Sequence, residues 1–338
     1  MNLWLAFSVL GTCTCSSYSL RMIMLPGKKK GTCPPFTVDE FPRLSSDHFV
    51  QTDTIYARKD LHRRGPSPLS LFRPFNDPVI TRKSNHWFGD EYQLSDESEI
   101  RVNNAGTFEC SSNCICHPLE LLQFIDLKIA GYHHAQPGRA KIFGFFAVRD
   151  KIEPLRNYVY NREIDNYEAV SVKPKTGMAR LSLTSPARCI CITSHALLEF
   201  KLCICTEDSR EDKLNDDILI EGCTEITNMF GTDSFVKTGR LYGEKCGLDV
   251  TFAVLNSAVQ ATVIVEIIRA PACGLDMKLH AKTSGVNDVI CLFRGVAEVG
   301  RKLSSVVAVL RRSHLDLWLE GSSMDNSLSQ IIYVKQFM

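Results

Sequence analysis

From about Leu121 to the C-terminus the chain is a succession of short β-branched and aromatic runs separated by turn residues, with no long amphipathic helix between them. That spacing belongs to an all-β domain. The strand candidates are Gln123–Ile129, Lys141–Val148, Ala169–Val172, Arg180–Leu183, Cys189–Thr193, Leu197–Cys205, Ile218–Gly222, Phe235–Tyr242, Leu248–Leu255, Ala261–Ile268, Met277–Thr283, Val289–Gly295, Ser304–Leu310, Leu315–Glu320 and Ile331–Val334. Antiparallel sheets joined by hairpins are expected, folded into a β-sandwich or a barrel-like closure. One hairpin is predicted in detail, with Ser194, His195 and Ala196 as its turn. Ile190 and Ile192 then share a core face with Leu198, Phe200, Leu202 and Ile204, while Cys189, Cys191, Cys203 and Cys205 share the other face with Glu199 and Lys201.

The first third reads differently. Nine of the 14 prolines lie between Pro26 and Pro118, among charge clusters such as Lys28-Lys29-Lys30 and with few sustained apolar periods. Proline removes backbone donors, and sparse apolar residues cannot offset the entropy of ordering. Residues 1–118 are therefore expected to be largely disordered and residues 119–338 to form the all-β domain, with a short helix over Pro118–Phe124 as one way into it. The apolar run Leu3–Leu10 has the length of a signal-peptide core, making residues 1–17 a candidate signal segment, but no Lys or Arg precedes it. It is too short to span a bilayer. The 14 cysteines sit partly inside apolar runs, where a free thiol behaves as a small buried hydrophobe, and no Asn-x-Ser/Thr sequon occurs. A cytoplasmic chain is favoured over a secreted one.

Charge narrows the partners. With 39 basic and 38 acidic side chains, the whole molecule offers no electrostatic footprint for nucleic acid or an anionic membrane. Catalytic templates are missing as well: there is no phosphate-binding Gly-x-x-x-x-Gly-Lys-Ser/Thr loop, no Gly-x-Gly-x-x-Gly, no Gly-x-Ser-x-Gly elbow and no His-Glu-x-x-His. His133, His134 and His195 stand singly near turns, where a solvated imidazole is the simpler reading. Cys110, Cys114, Cys116 and His117 place four possible metal ligands within eight residues, but their spacing matches no common zinc signature. The two Cys-x-Cys pairs point in parallel along strands and do not converge on a tetrahedron. Most unusual is Val148–Asp165, which mixes Arg149, Asp150, Arg156, Tyr158, Tyr160 and Arg162. Such groups bind phosphate or stack on bases, or else fasten a long connection across a sheet edge, and the interspersed acids favour fastening. Glu153 and Arg156 have the Glu-x-x-Arg spacing of an N-glycosidase pocket, yet Pro154 denies them a helix interior.

The strings FFAVRDKIEPLRNYVYNREIDNYEAV, LSLTSPARCICITSHALLEFKLCI and DDILIEG resemble the plant family, abundant in grasses, known as domain of unknown function 6598. The resemblance covers roughly Leu119 to Gly321. It implies a β-rich fold and no established activity; some members look fused to ribosome-inactivating N-glycosidase domains, whose catalytic residues lie elsewhere. One departure is Cys189, where the family tends to have glycine. Taken together, residues and resemblance indicate a non-enzymatic binding or regulatory β-module with an unidentified protein or ligand partner, and the resemblance alone implies a plant stress or defence setting. No catalytic residue, cofactor or metal is assigned. The rival reading is a hydrolase or an RNA N-glycosidase-associated protein, which would require Glu153, Arg156, Tyr158 and Tyr160 to converge in one pocket.

Overall fold

The computed structural model describes residues 4–12, 36–43, 65–71, 92, 94, 96–100, 118–133, 139–205, 218–228, 233–269, 275–323 and 329–337. In chain order the strands are β1 (Trp4–Thr12), β2 (Ser67–Pro68), β3 (Leu119–Ala130), β4 (Arg139–Arg149), β5 (Asn157–Arg162), β6 (Glu168–Ser171), β7 (Ala179–Leu181), β8 (Ile190–Cys191), β9 (His195–Cys205), β10 (Ile218–Thr227), β11 (Phe235–Tyr242), β12 (Gly247–Arg269), β13 (Leu275–Thr283), β14 (Ile290–Ala297), β15 (Lys302–Leu310), β16 (His314–Ser323) and β17 (Ser329–Phe337). The one short helical turn among the described residues is a 3-10 turn at Ile164–Asn166. The fold is mainly β and built from antiparallel sheets, as the alternation predicts; β2 beside β11 is the parallel exception among the named strands.

Three sheets stack in a staggered sandwich around the 23-residue β12. The first sheet runs β2-β11-β12-β3-β7, with β8 also on β3 and with β1 and β15 on β12. The second is β10-β9-β4-β5 with β6 on β4, and the third is β14-β13-β16-β17. Strand periodicity puts alternate side chains on opposite faces. Along the first half of β12, Leu248, Val250, Phe252 and Val254 enter a core shared with the second sheet. Ala253 and Leu255, and then Ala261, Val263, Val265 and Ile267, enter another core on the opposite face, shared with the third sheet. Between the halves, Ser257 takes φ 58° and the register against β3 slips. Ala258 pairs with Leu119 of β3 on one side and Leu310 of β15 on the other, so the strands flanking β12 change at this point.

The same logic shapes β3. Leu122 and Phe124 lie in the first core and Leu121 and Ile125 in the second. The register slip between Thr251 and Phe252 leaves Ile125 as an extra residue, after which the odd-numbered Leu127 and Ile129 take over the first core. Phe146 stacks on Phe200 with centroids 6.0 Å apart and meets Phe124 edge-on at 5.4 Å, joining the first and second sheets. In the middle of β4, Gly144 has φ 107°, and a Cβ there would lie 2.1 Å from the Lys201 carbonyl, which makes glycine obligatory for the β4–β9 pairing.

Several expectations are corrected. Pro118–Phe124 is not helical: Leu119–Ala130 is one strand, buried along most of its length because both faces have sheets against them. The hairpin about Ser194–Ala196 does not form, since β8 pairs with β3 in the first sheet while β9 pairs with β4 and β10 in the second. The face assignment survives, because the two sheets face each other: Ile190, Ile192, Leu198, Phe200, Leu202 and Ile204 all enter the first core. The cysteines are consequently split, with Cys189 in the second core and Cys203 buried on the outer face of β9. Leu248–Leu255 and Ala261–Ile268 are parts of one strand, and Asn157–Arg162, expected within a connection, is β5.

Parts of the first third dock on this framework. Trp4–Thr12, containing most of the signal-like run, pairs along the second half of β12 as β1. Phe36 and Phe41 are buried against Ala130 and Tyr242, and Tyr92 and Leu94 against Leu197 and Cys223.

Candidate functional site

The Val148–Asp165 string closes on itself. Arg149, fully buried at the end of β4, donates through Nε to Glu199 at 3.1 Å and through Nη1 to the Pro154 carbonyl at 2.9 Å. Arg156 donates to both oxygens of the same carboxylate and lies over the Phe145 ring, 4.5 Å from its centroid. Asp150 accepts from both terminal nitrogens of Arg188 at 2.7 Å, from the Cys191 N–H at 2.8 Å, and from the N–H groups of Ile152 and Glu153. These pairs fasten the β7–β9 crossing to the end of β4. Tyr160 points the other way, into the first core, and donates to the Ile142 carbonyl at 3.4 Å. Glu153 is partly exposed beside Arg188. Glu153, Arg156, Tyr158 and Tyr160 therefore do not converge on one pocket.

The other singled-out residues also find places. His195 is buried rather than solvated, edge-on to Tyr92 at 5.8 Å. His133 is exposed. Cys191 contacts the Thr193 hydroxyl at 3.0 Å. Cys110, Cys114, Cys116, His117 and His134 lie outside the described residues. Among the described residues, no group of three or more His, Cys, Asp or Glu is placed to hold a metal ion, and no helix is long and apolar enough to cross a membrane.

Uncommitted polar groups collect elsewhere, in a cleft of about 760 Å³ where the third sheet faces the β3–β7 and β4–β6 edges. Period-two geometry builds its third-sheet wall. Met277, Leu279 and Ala281 of β13 enter the second core, so Asp276, Lys278 and His280 face outward into the cleft. A register slip in β14 leaves Leu292 as an extra residue and brings Cys291 opposite His280 and Arg294 opposite Lys278. On the far side of β13, Trp318 lies opposite His280 and Glu320 opposite Lys278. The facing wall contributes Asp126 of β3, Arg139 of β4, Glu168 of β6 and Arg180 of β7.

Most of the acids here are engaged. Asp126 accepts from Arg180 at 2.7 Å and pairs with Lys128. Glu168 accepts the Ser182 N–H at 3.0 Å, and Glu320 pairs with Lys278 at 3.8 Å. Arg139 and Arg294 have no ion-pair partner among the described residues, and neither does Asp276. The His280 ring stacks on Trp318 at 5.6 Å and 27°, and its Nδ1 is buried without a hydrogen-bond partner. Burial holds its pKa below the ordinary histidine value; Lys278, Arg180 and Arg294 push the same way against Glu320. Burial likewise raises the Cys291 thiol, which donates to the Phe293 carbonyl at 3.5 Å. At neutral pH the cleft thus presents a neutral imidazole, a protonated thiol and two guanidinium groups without an ion-pair partner among the described residues.

A family model described as "Domain of unknown function (DUF6598)" matches residues 121–336. The chain belongs to that family. Every lining residue of the cleft, from Ile125 to Glu320, falls inside the matched stretch, so the site is part of the DUF6598 domain. No curated protein matches the chain. Solved structures with some likeness include human GIVD cytosolic phospholipase A2 in complex with methyl gamma-linolenyl fluorophosphonate inhibitor and terbium chloride, at 13% identity and a TM-score of 0.24, covering 64% of this chain and 28% of that one. The two C2 domains of extended-synaptotagmin 2 give 11% identity and a TM-score of 0.22, covering 70% of this chain and 86% of theirs. The chain thus spans under a third of the phospholipase, and both superpositions are too loose to bear on fold or ligand.

The site is hidden in the sequence because seven strands contribute to it, each with only a few residues. One local signal is legible: Asp276-x-Lys278-x-His280 puts three ionisable groups on a single face of an otherwise apolar strand.

Proposed function

We propose that this DUF6598 chain is a non-enzymatic ligand-binding module and that its ligand occupies the cleft between the third sheet and the β3–β7 edge. The observation that carries the reading is the His280 Nδ1, buried and unpartnered in the wall of an open cleft. A buried polar atom without a partner is costly, and a ligand that satisfies it recovers that cost on binding. Catalysis by the same groups is disfavoured chemically. A histidine base is normally oriented by a third group through its other nitrogen, and the His280 Nδ1 has no such partner. Cys291, its cross-strand neighbour, is held as the thiol, the poor nucleophile.

The test is a thermal-shift screen of the full chain against small molecules, with hits mapped by NMR of the imidazole carbons. Binding hits should move the His280 resonances and leave the compounds unchanged. Steady turnover of a hit, or hits that all leave His280 unmoved, would overturn the proposal.

A further inference from the structure

We infer that the ligand of this cleft is a small soluble organic anion, a phosphate monoester or a carboxylate, held by Arg294 and Arg139 across the gap between the third and second sheets. The inference rests on the binding reading above and specifies its ligand class. Arg294 projects from β14 and Arg139 from the start of β4, so they approach the cleft from opposite walls, both exposed and both without an ion-pair partner among the described residues. Three of the four acids in the lining already have partners: Asp126 has Arg180 and Lys128, Glu168 has the Ser182 amide, and Glu320 has Lys278. Asp276, near the start of β13, is the remaining one. The uncommitted charge is thus two guanidinium groups against one carboxylate. A guanidinium carries its proton throughout the working pH range and offers a planar fork that matches carboxylate or phosphate oxygens. The imidazole of His280, stacked on Trp318, lines the same space.

A pH signature follows from what surrounds His280. On its own sheet it is faced by Asp276, Lys278, Cys291, Arg294 and Glu320; from the opposite walls come Asp126, Arg139, Glu168 and Arg180. An anion placed among them opposes the cations that depress the imidazole pKa and raises it. Binding therefore takes up a proton, and affinity strengthens as pH falls through the bound-state pKa, levelling off below that of the free protein.

The experiment titrates the full chain with glycerol 1-phosphate and succinate, using glycerol and 1,4-butanediol as uncharged counterparts, and follows the His280 resonances at about pH 8 and about pH 6, on either side of the ordinary imidazole value. At least one anion should bind, more tightly at the lower pH, and neither alcohol should. Arg294→Gln and Arg139→Gln, both at exposed positions where folding is not at stake, should each weaken binding about tenfold. His280→Gln should remove the pH dependence. Binding of the phosphate alone assigns a phosphoryl ligand, and binding of succinate alone assigns a carboxylate. Alcohols that bind as well as the anions, or affinities unchanged in both arginine variants, overturn the anion while leaving a ligand cleft in place. Failure of all four compounds to move His280 overturns the anion, and the cleft reading falls only if the wider screen also leaves His280 unmoved.

Discussion

Glu199 lies beneath two guanidinium groups, and neutralising it strands both. Arg149 is fully buried, and Arg156 shares the same carboxylate across the outer face of β9. Breaking a buried ion pair by removing one partner leaves the other charge uncompensated, at a cost of about 3 kcal/mol or more. Glu199→Gln should therefore lower the stability read from urea denaturation by that amount, with little change in slope. Strand parity alone places Glu199 on the side of β9 away from the first core, which is where it lies. What parity cannot supply is the cover: Tyr92 and Leu94 pack over that face, the Asp96 carbonyl accepts from Arg149, and the Ser98 carbonyl accepts from the Arg156 N–H. A face that looks solvated in an isolated strand becomes buried when a distant stretch lies across it.

At the scale of elements, the periodic runs were legible and the partners they choose were not. Phe235–Tyr242 is the same strand in sequence and structure because its β-rich run ends there at turn residues. Asn256-Ser257 reads as a turn, yet β12 continues through it, since Ser257 bends the strand locally while β3 and β15 hold Ala258 from both sides. Cys189–Thr193 and Leu197–Cys205 look like a hairpin because they are close in sequence, but the pairing of Ile190 and Cys191 with Leu122 and Leu121 of β3 holds the former in the first sheet. The strap at residues 36–43 makes the element-scale prediction. Phe41 stacks on Tyr242 at 5.6 Å with Arg240 over its ring, in a slot between Gly131 and Gly247 where added Cβ atoms would lie 2.1 Å and 2.6 Å from the phenyl carbons. Phe41→Ala removes a buried aromatic from a site shaped for it, at a cost of about 3 kcal/mol. The strap amides, above all the Val38 N–H bonded to the Lys175 carbonyl, should lose protection from hydrogen exchange before the sheets do.

Over the whole molecule, buried thiols set an alkaline limit. Burial pushes Cys223 and Cys246 up to about 12, and Cys189 rises for the same reason. A folded-state value raised above the unfolded one leaves stability intact below the unfolded value of 9.0 and erodes it as pH climbs toward 12, because only the unfolded chain then releases these protons. Denaturation midpoints should be flat between about pH 7 and about pH 8 and fall by about pH 10, and Cys223→Ala should lessen the slope of that fall. The charge balance that argues against a polyanion partner is a whole-chain property, and it conceals the cleft, where neutrality is divided into satisfied pairs, one carboxylate and two arginines without ion-pair partners among the described residues. No window along the chain contains that division, because it exists only after seven strands have met.

The shared central strand has a further consequence for anyone trying to take the protein apart. Leu248, Val250, Phe252 and Val254 serve one hydrophobic interior and Ala253, Leu255, Ala261, Val263, Val265 and Ile267 the other, on a single unbroken backbone. A truncation ending near residue 256 keeps the first interior but strips the third sheet and β15 from the opposite face, uncovering Leu121, Ile125, Ala253 and Leu255, while the remainder loses those same residues from its own interior, so neither half should be obtainable as an autonomous soluble piece. Calorimetry of the intact chain should accordingly show one heat-absorption peak, and mutations in either interior should move that peak as a whole.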